Sequence, residues 1–211
     1  MYTQPLTGRN MRGVEQIPWI YDLFMEVVER FGLGTLRQSV VGEARGRILD
    51  LGCGTGRNLQ LFAAGSRVVG LELDLALLAA ARRRVPRLPL VVGRAEDLPF
   101  RPDSFDTVVS SLVFCSVADP ARGLQEVVRV LDSGGQLRML EHVRSSTRAL
   151  GWFQDRIQPV WTWLAGGCHP NRRTENTVEE AGFVTAKHEI PGRTTLRCFV
   201  AHARQTMPEG D

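Results

Sequence analysis

A glycine-rich turn constrains the fold of this chain more than any other segment does. Residues 50–56 have the sequence DLGCGTG and follow the apolar stretch 48–51, which predicts a strand that ends in the turn. A helix is predicted from about Arg57 onward. Glycine allows a sharp turn and a close approach of the backbone to a ligand, and the junction of strand and helix is where doubly wound α/β sheets bind nucleotide-like molecules. The turn therefore predicts such a sheet, with a ligand at its edge.

An acidic residue lies on the next predicted strand, residues 67–72. Glu72 ends that strand twenty positions after Gly52, where a carboxylate can accept hydrogen bonds from both hydroxyls of a ribose. A dinucleotide-binding turn has a glycine three positions after its second one, whereas this chain has Arg57 there. The pattern therefore favours a different ribose-containing ligand, and the alternative is a chance glycine turn beside an unrelated acid.

Short strands and helices alternate along the rest of the chain. Strands are predicted at 67–72, 90–92, 105–111 and 136–141, and helices at 75–84 and from Asp119-Pro120 to before Gly134-Gly135. Buried strands that alternate with helices predict a parallel sheet with helices on both faces. Residues 184–190 and 194–203 flank a turn sequence at 191–193 and predict a hairpin, so the final strand should run antiparallel.

The length and composition fit a single α/β domain. The 211 residues are 43% hydrophobic, which is enough to bury one full core. Residues 17–31 carry apolar side chains at three- and four-residue spacings between charged ones, which predicts an amphipathic helix. We therefore expect an N-terminal helical lid segment at 1–46 and the main domain at 47–211, with a substrate-side insertion at 145–182.

The charge of the chain does not indicate a nucleic-acid partner. The formal net charge is +3, but the basic residues are spread along the sequence, and all but Lys187 are arginine. The sequence shows no signal-peptide pattern, and no apolar run approaches the roughly 20 residues that span a bilayer. The expectation is a soluble, cytoplasmic protein without a transmembrane segment.

The four cysteines lie far apart and form no paired motif. Their spacing predicts neither a disulfide framework nor a zinc site. Cys168 and His169 are adjacent, but two potential ligands fall short of the usual number, so we expect no metal site. The cysteines are Cys53, Cys115, Cys168 and Cys198.

Taken together, these segments resemble the class I S-adenosylmethionine-dependent methyltransferases. Residues 48–56 are similar to the family's first motif, which cradles the methionine part of the cofactor, and residues 70–74 are similar to its ribose-binding segment. Residues 93–100, followed by 104–106, look like the segment that holds the adenine. The resemblance implies a Rossmann-like, seven-stranded, mostly parallel sheet. It also implies S-adenosylmethionine as cofactor and S-adenosylhomocysteine as product.

The resemblance further implies which residues contact the cofactor. One position departs from the family pattern, because Arg94 stands where Asp or Asn is usual. Glu96 is our candidate acceptor for the adenine amine, with the backbone amide of Ala95 beside it; the alternative is that Glu96 and Asp97 form a solvated turn. The candidate cofactor-binding residues are Tyr21, Asp50, Gly52, Gly54, Gly56, Asn58, Glu72, Leu73, Ala95, Glu96 and Ser111.

Three further segments are similar to the methyltransferase-like-seven branch of the family, whose animal members methylate alkyl thiols. They are residues 111–117, residues 140–143, and residues 152–168 with Arg172 or Arg173 following. The resemblance implies methyl transfer to a small, partly apolar acceptor, and a thiol is the first candidate. Bacterial relatives are linked to phospholipid amine or quinone methylation, so these acceptors are the alternatives. A cofactor-binding regulator that has lost catalysis is a further alternative.

A sulfonium methyl donor is already reactive, so such an enzyme must mainly align the nucleophile with the methyl group and exclude water. No His-Asp pair or other base constellation is evident in the sequence, which fits a partly ionised acceptor such as a thiol. His142, at the end of the predicted fifth strand, is the candidate catalytic residue that orients the acceptor or takes its proton. The alternative is a structural histidine.

Large aromatic residues are concentrated outside the predicted sheet. Three of the four tryptophans lie in the 145–182 insertion, and the fourth starts the N-terminal helix. This distribution predicts a lid over an apolar acceptor pocket. Packing onto the sheet or a homodimer contact is the alternative, and peripheral membrane contact is compatible with both. The candidate substrate-binding residues are Trp19, Cys115, Trp152 and Trp161.

Overall fold

The computed structural model describes residues 17–188 and 195–203. A single turn of 3-10 helix, Asn58–Gln60, lies between the first two strands. The helices and strands of the described residues are, in chain order, α1 (Pro18–Val28), α2 (Gly34–Val41), β1 (Arg47–Leu51), β2 (Arg67–Glu72), α3 (Leu75–Arg84), β3 (Leu90–Val92), β4 (Phe105–Ser111), α4 (Pro120–Val130), β5 (Leu131–His142), α5 (Arg148–Leu164), α6 (Thr174–Glu180), β6 (Phe183–His188) and β7 (Leu196–Ala203).

These strands join one sheet of seven in the order β3-β2-β1-β4-β5-β7-β6. The strands from β3 to β5 pair in parallel, whereas β7 runs antiparallel to both β5 and β6. The predicted Rossmann-like, mostly parallel sheet with an antiparallel final strand is therefore confirmed. The strand order reverses between β1 and β4, and open α/β sheets bind ligands outside the carboxyl ends at such a reversal.

The sheet buries apolar side chains on both faces, as predicted. Ile48 and Leu49 are neighbours in β1 and fully buried, yet they belong to different clusters because successive side chains of a strand point to opposite faces. Leu49 shares a cluster with Leu124 of α4, and Ile48 shares one with Met25 of α1. Because both faces are covered, a ligand site has to lie at an edge of the sheet.

The N-terminal helical region differs from the single helix predicted at 17–31. α1 ends at Val28, a five-residue π-type turn at Glu29–Leu33 follows, and α2 continues from there. The break falls at Gly32, whose φ of 101° lies outside the helical range. α2 was not predicted because it is short and its buried side includes an arginine, Arg37. Residues 1–16 of the expected lid segment lie outside the described residues.

The prediction of a helix from about Arg57 is wrong, because only the 3-10 turn Asn58–Gln60 forms there. The buried side chain of Asn58 hydrogen-bonds three other segments of the protein. The chain then turns again at Gly65, whose φ is 85°. Side-chain hydrogen bonds of this kind compete with helix formation, so this stretch stays irregular.

The central elements agree closely with the sequence pattern. β2, β3, β4 and α3 have the predicted bounds. Asp119 caps α4 as predicted by accepting a hydrogen bond from the backbone N–H of Arg122 at 3.0 Å. β5 is longer than the predicted 136–141, because it begins at Leu131 directly after α4 and its pairing with β4 shifts register after Phe105.

The C-terminal part places two helices in the expected 145–182 insertion, α5 and α6. The hairpin strands β6 and β7 pair as predicted, and the predicted turn at Pro191-Gly192-Arg193 lies outside the described residues. None of the helices between residues 17 and 188 is both long and apolar enough to cross a membrane.

Candidate active site

Four parallel strands carry the site at one edge of the sheet. β1 ends at Leu51, β2 at Glu72, β4 at Ser111 and β5 at His142. Because these strands are parallel, their carboxyl ends lie at the same edge. The glycine turn, the predicted ribose-binding acid and the predicted acceptor-side histidine are therefore brought to one edge by the sheet itself.

Two glycines of the turn after β1 show why this segment requires glycine. Gly52 has a φ of 65°, and a side chain there would place its Cβ 2.6 Å from Cγ2 of Val113. Gly54 has a φ of 55°, yet apart from Gly54 itself and its two chain neighbours no atom of the described residues lies within 4 Å of the position that its Cβ would take. The left-handed backbone at Gly54 thus borders open space in which a ligand can lie.

The Glu72 carboxylate connects the end of β2 to this turn. Its Oε2 accepts a hydrogen bond from the backbone N–H of Gly54 at 2.9 Å, and its Oε1 accepts from the N–H groups of Leu73 and Asp74 at 2.8 and 2.9 Å. Burial raises the pKa of Glu72, and the three amides act in the opposite direction. The structure thus brings together Gly54, Glu72 and Leu73, three of the candidate cofactor residues.

Asp50, Asn58 and Ser111, also candidate cofactor residues, form one buried network. The Asn58 amide donates to Asp50 Oδ1 at 2.7 Å and to Ser111 Oγ at 3.2 Å. Arg37 donates to Asn58 Oδ1 at 2.6 Å, a contact that sequence reasoning missed because α2 was not predicted. Asp50 Oδ2 is buried without a hydrogen-bond partner among the described residues. Burial raises the pKa of Asp50 to about 7.

Charged side chains fasten α1 to the glycine turn. Asp22 accepts hydrogen bonds from Thr55 Oγ1 at 2.7 Å and from Arg84 Nη2 at 2.8 Å. Tyr21, a candidate cofactor residue, is half-buried next to Asp22 and packs against the apolar cluster on this face. The helix of the expected lid segment therefore contacts the turn, and its role as a lid stays a prediction.

The segment expected to hold adenine places Glu96 in an unforeseen set of contacts. Its Oε1 accepts from the backbone N–H groups of Ala118 and Asp119 at 3.1 and 3.3 Å, and its Oε2 lies 3.6 Å from Nε of Arg94. Ala95 is buried beside it. Glu96 is thus bound to the start of α4 and to Arg94, and its contact with adenine stays a prediction.

Glu141 organises the loop after β4, a function that sequence reasoning missed. Its Oε1 accepts hydrogen bonds from Ser110 Oγ at 3.0 Å and from the backbone N–H groups of Val113 and Phe114 at 2.9 and 3.0 Å. The loop passes through a left-handed residue, Leu112, with a φ of 61°. Burial raises the pKa of Glu141. The carboxylate holds the strained loop against the end of β5.

His142 lies beside two cysteines that are distant from it in sequence. One of its ring nitrogens and the sulfur atoms of Cys115 and Cys168 all lie within 4.8 Å of one another. The hydrogen bond between the two thiols lowers the pKa of Cys168, as do His142 and Trp161 beside it. The candidate catalytic histidine and two candidate substrate residues, Cys115 and Trp161, are therefore neighbours.

The other aromatic candidates are largely exposed. Trp19 on α1 and Trp152 on α5 have exposed fractions of 69% and 64%. Trp163 is also exposed, and Trp161 is the least exposed of the four tryptophans at 37%. The contact of these rings with an acceptor stays a prediction.

The raised pKa of Asp50 predicts a pH-dependent stability. A carboxyl group with a pKa near 7 in the folded state and 3.8 in the unfolded state holds its proton better when folded, so it stabilises the fold at low pH. That stabilisation is lost as the pH rises from about 4 to about 7. Asp50→Asn should therefore gain stability relative to the wild type over this range in urea unfolding. A difference between the two proteins that does not change with pH would contradict this assignment.

Known proteins match the chain over most of its length. A family model described as a methyltransferase domain matches residues 49–139. Thiol S-methyltransferase TMT1B of Rattus norvegicus is 38% identical over 145 residues, which are 64% of this chain and 59% of that protein. Thiol S-methyltransferase TMT1A of Homo sapiens is 32% identical over 176 residues, or 80% and 72% of the two chains. Demethylmenaquinone methyltransferase of Clavibacter sepedonicus is 42% identical over 106 residues, or 48% and 42%.

A solved structure agrees at the level of the fold. An S-adenosylmethionine-dependent methyltransferase of Thermotoga maritima superposes with a TM-score of 0.62 at 21% identity, over 90% of this chain and 97% of that one.

The present chain spans 59% of the length of the rat protein, less than two thirds. It matches the human protein across 72% of that protein's length at 32% identity, and it therefore belongs to the class I S-adenosylmethionine-dependent methyltransferases.

Proposed function

We propose that this chain transfers the methyl group of S-adenosylmethionine to a small, partly apolar thiol. Two of the relatives are named thiol S-methyltransferases. The observation that carries the choice of acceptor is the environment of His142 at the carboxyl end of β5. There the carboxylate of Glu141 is bound to loop amides, and the imidazole faces the sulfur of Cys168 at 3.9 Å.

The cradle at the edge of the sheet has groups that fit the cofactor. Asp50 Oδ2 is buried with no partner in the described part of the chain, and the backbone at Gly54 borders open space. We assign the ribose hydroxyls to Glu72, the methionine part to the glycine turn and the adenine to the vicinity of Ala95. When bound, the cofactor supplies a methyl group that its sulfonium charge already activates. The protein's own task is to hold the acceptor in line and to exclude water.

A thiol acceptor is compatible with the groups at this edge of the sheet, because a thiol ionises without a strong general base. An ordinary thiol has a pKa of about 8.5, so a few per cent is thiolate near pH 7. Glu141 is fully buried and committed to the loop after β4, which leaves it unsuited to take a proton from an acceptor. His142 is half-buried and can orient the acceptor or accept its proton.

A quinone ring is the second candidate acceptor. The demethylmenaquinone methyltransferase match supports it, although that match covers less than half of each chain. The exposed rings of Trp152 and Trp163 would suit an acceptor carried by a lipid surface. A phospholipid amine and a non-catalytic, cofactor-binding role are further alternatives.

Replacing Gly54 by alanine should weaken cofactor binding without unfolding the protein. The added methyl group would lie in the open space of the cradle, so the S-adenosylmethionine affinity should fall by more than about tenfold, a loss of about 1.4 kcal/mol. Gly65→Ala is the matched control, because Gly65 also has a positive φ and open space around a Cβ. Both variants carry left-handed strain of about 1–2 kcal/mol. Equal cofactor affinities of the two variants in calorimetric titration would contradict the assigned cradle.

The acceptor is tested by supplying S-adenosylmethionine with separate panels of alkyl thiols, quinols and phospholipid amines. We expect S-adenosylhomocysteine and the methyl thioether to form with thiols, and detect both by mass spectrometry. Product with quinols or lipid amines alone would replace the thiol by that acceptor. Cofactor binding without product from any panel would support the non-catalytic alternative instead.

A further inference from the structure

Two cysteines and a histidine meet beside the cofactor cradle. Cys115 follows β4, His142 ends β5, and Cys168 follows α5, and their ligand atoms all lie within 4.8 Å of one another. We propose that these three side chains bind a Zn²⁺ ion whose fourth position takes the sulfur of the acceptor. The assignment of the fourth position rests on the proposed thiol methyl transfer, whereas metal binding itself does not.

The spacing and chemistry of the three groups suit zinc. Tetrahedral zinc has Zn–S distances of about 2.3 Å and Zn–N distances of about 2.0–2.1 Å, which separate neighbouring ligand atoms by about 3.5–3.8 Å. The sulfur of Cys168 and Nδ1 of His142 are 3.9 Å apart. All three ligand atoms lie within 4.8 Å of one another, so they would have to move together by about 1 Å or less to complete the geometry. Thiolate and imidazole ligands favour zinc over harder ions. A set of two Cys and one His with an open position is also typical of catalytic rather than structural sites.

The backbone around Cys115 is fixed before any ion binds. Glu141 accepts hydrogen bonds from the N–H groups of Val113 and Phe114, which sets the path of the loop leading to Cys115. The carbonyl of Cys115 accepts a hydrogen bond from the N–H of His169 at 2.8 Å. This bond holds the residue after Cys168 directly against Cys115, so the two sulfur atoms are kept close.

The loop that carries Cys168 is held from its other side as well. Thr162 Oγ1 donates to the carbonyl of Cys168 at 3.0 Å. Arg172 donates to the carbonyls of Phe114 and Val117 at 2.5 and 2.7 Å, which ties the two cysteine loops together. Both cysteines are buried and His142 is half-buried. The three ligands are therefore preorganised by hydrogen bonds, as in known metal sites whose outer contacts orient the ligands.

The neighbouring histidine does not belong to this group. His169 is adjacent to Cys168 in sequence, but its Nδ1 lies 2.7 Å from the carbonyl oxygen of Gly167. The sequence pair Cys168-His169, which alone offered too few ligands for a metal, is therefore not part of the cluster. The ligand set forms only through the fold, which is why sequence spacing predicted no metal site.

The ion would make the acceptor nucleophilic near neutral pH. With the ion bound, His142 orients the acceptor through the metal and does not take its proton. On entering the fourth position the acceptor R–SH loses its proton to solvent, because a coordinating thiol is deprotonated by the metal. The sulfur lone pair then forms a bond to the methyl carbon as the bond from that carbon to the sulfonium sulfur breaks. The products are the neutral thioether R–S–CH₃ and S-adenosylhomocysteine. The thioether carries no charge and is a weaker ligand, so it leaves the ion.

Cobalt provides the test, because tetrahedral Co²⁺ with thiolate ligands has an intense visible and sulfur-to-metal charge-transfer spectrum. The full chain, reduced with a phosphine and stripped with a chelator, is titrated with Co²⁺ alone. We expect stoichiometric binding with thiolate bands in the wild type, loss of these bands in the Cys115→Ser/Cys168→Ser variant, and weakened binding in His142→Gln. Cys198→Ser removes another buried cysteine outside the cluster and should bind like the wild type.

The outcomes separate this proposal from the proposed function. Wild-type binding no stronger than that of the double cysteine variant, with S-adenosylmethionine binding intact in both, would overturn the metal site even if thiols are methylated. If Co²⁺ binds and a thiol changes the cobalt spectrum, the open position is supported. If Co²⁺ binds and no thiol alters the spectrum, the role of the fourth position is overturned.

A kinetic comparison adds a second test. With a thiol of pKa about 8.5 at pH 7, the kcat/KM of the zinc-loaded enzyme should exceed the kcat/KM of the stripped enzyme by up to about 30-fold. The two kcat/KM values should converge at high pH.

Discussion

The parallel pairing of β1 with β2 on one side and with β4 on the other is the constraint on which the site depends. It brings the carboxyl ends of three strands to one edge, at the point where the strand order reverses. Loops that leave this point diverge and open a crevice between them. On the β2 side of this point, the backbone N–H of Gly54 donates to the Glu72 carboxylate at 2.9 Å, although the two residues lie on different connections.

Two buried carboxylates, Asp50 and Glu141, and the half-buried carboxylate of Glu72 accept hydrogen bonds from amide groups rather than from cations at this edge. Glu72 and Glu141 each accept several backbone N–H groups, and Asp50 accepts the amide of Asn58. Burial raises the pKa of all three, so their ionisation would be favoured by a positive ligand. A sulfonium cofactor carries that charge. The same bonds that fix the loops therefore also prepare an environment for a cation.

The position of the glycine turn and Glu72 at one edge of the sheet was predictable because its signals are local, and their contact with the cofactor stays a prediction. The spacing along the sequence is enough to recognise a glycine turn and an acid at the ends of two successive strands. In the structure Gly54 and Glu72 are in contact. The cluster of Cys115, His142 and Cys168 was not predictable, because these residues meet only through β4–β5 pairing and a folded-back loop. Helix α2 was missed because the buried Arg37 interrupts its apolar pattern. A helix was wrongly predicted after the glycines because the hydrogen bonds of the buried Asn58 to distant segments form only in the fold.

The central claim is that the turn after β1 and the acid ending β2 hold the cofactor. A crystal structure of the full chain grown with S-adenosylhomocysteine tests it most directly. The account predicts ribose hydroxyls within hydrogen-bonding distance of the Glu72 carboxylate, and the amino-acid part of the ligand over Gly54. A ligand bound elsewhere on the chain, with Glu72 making only the backbone hydrogen bonds that it makes now, would contradict it.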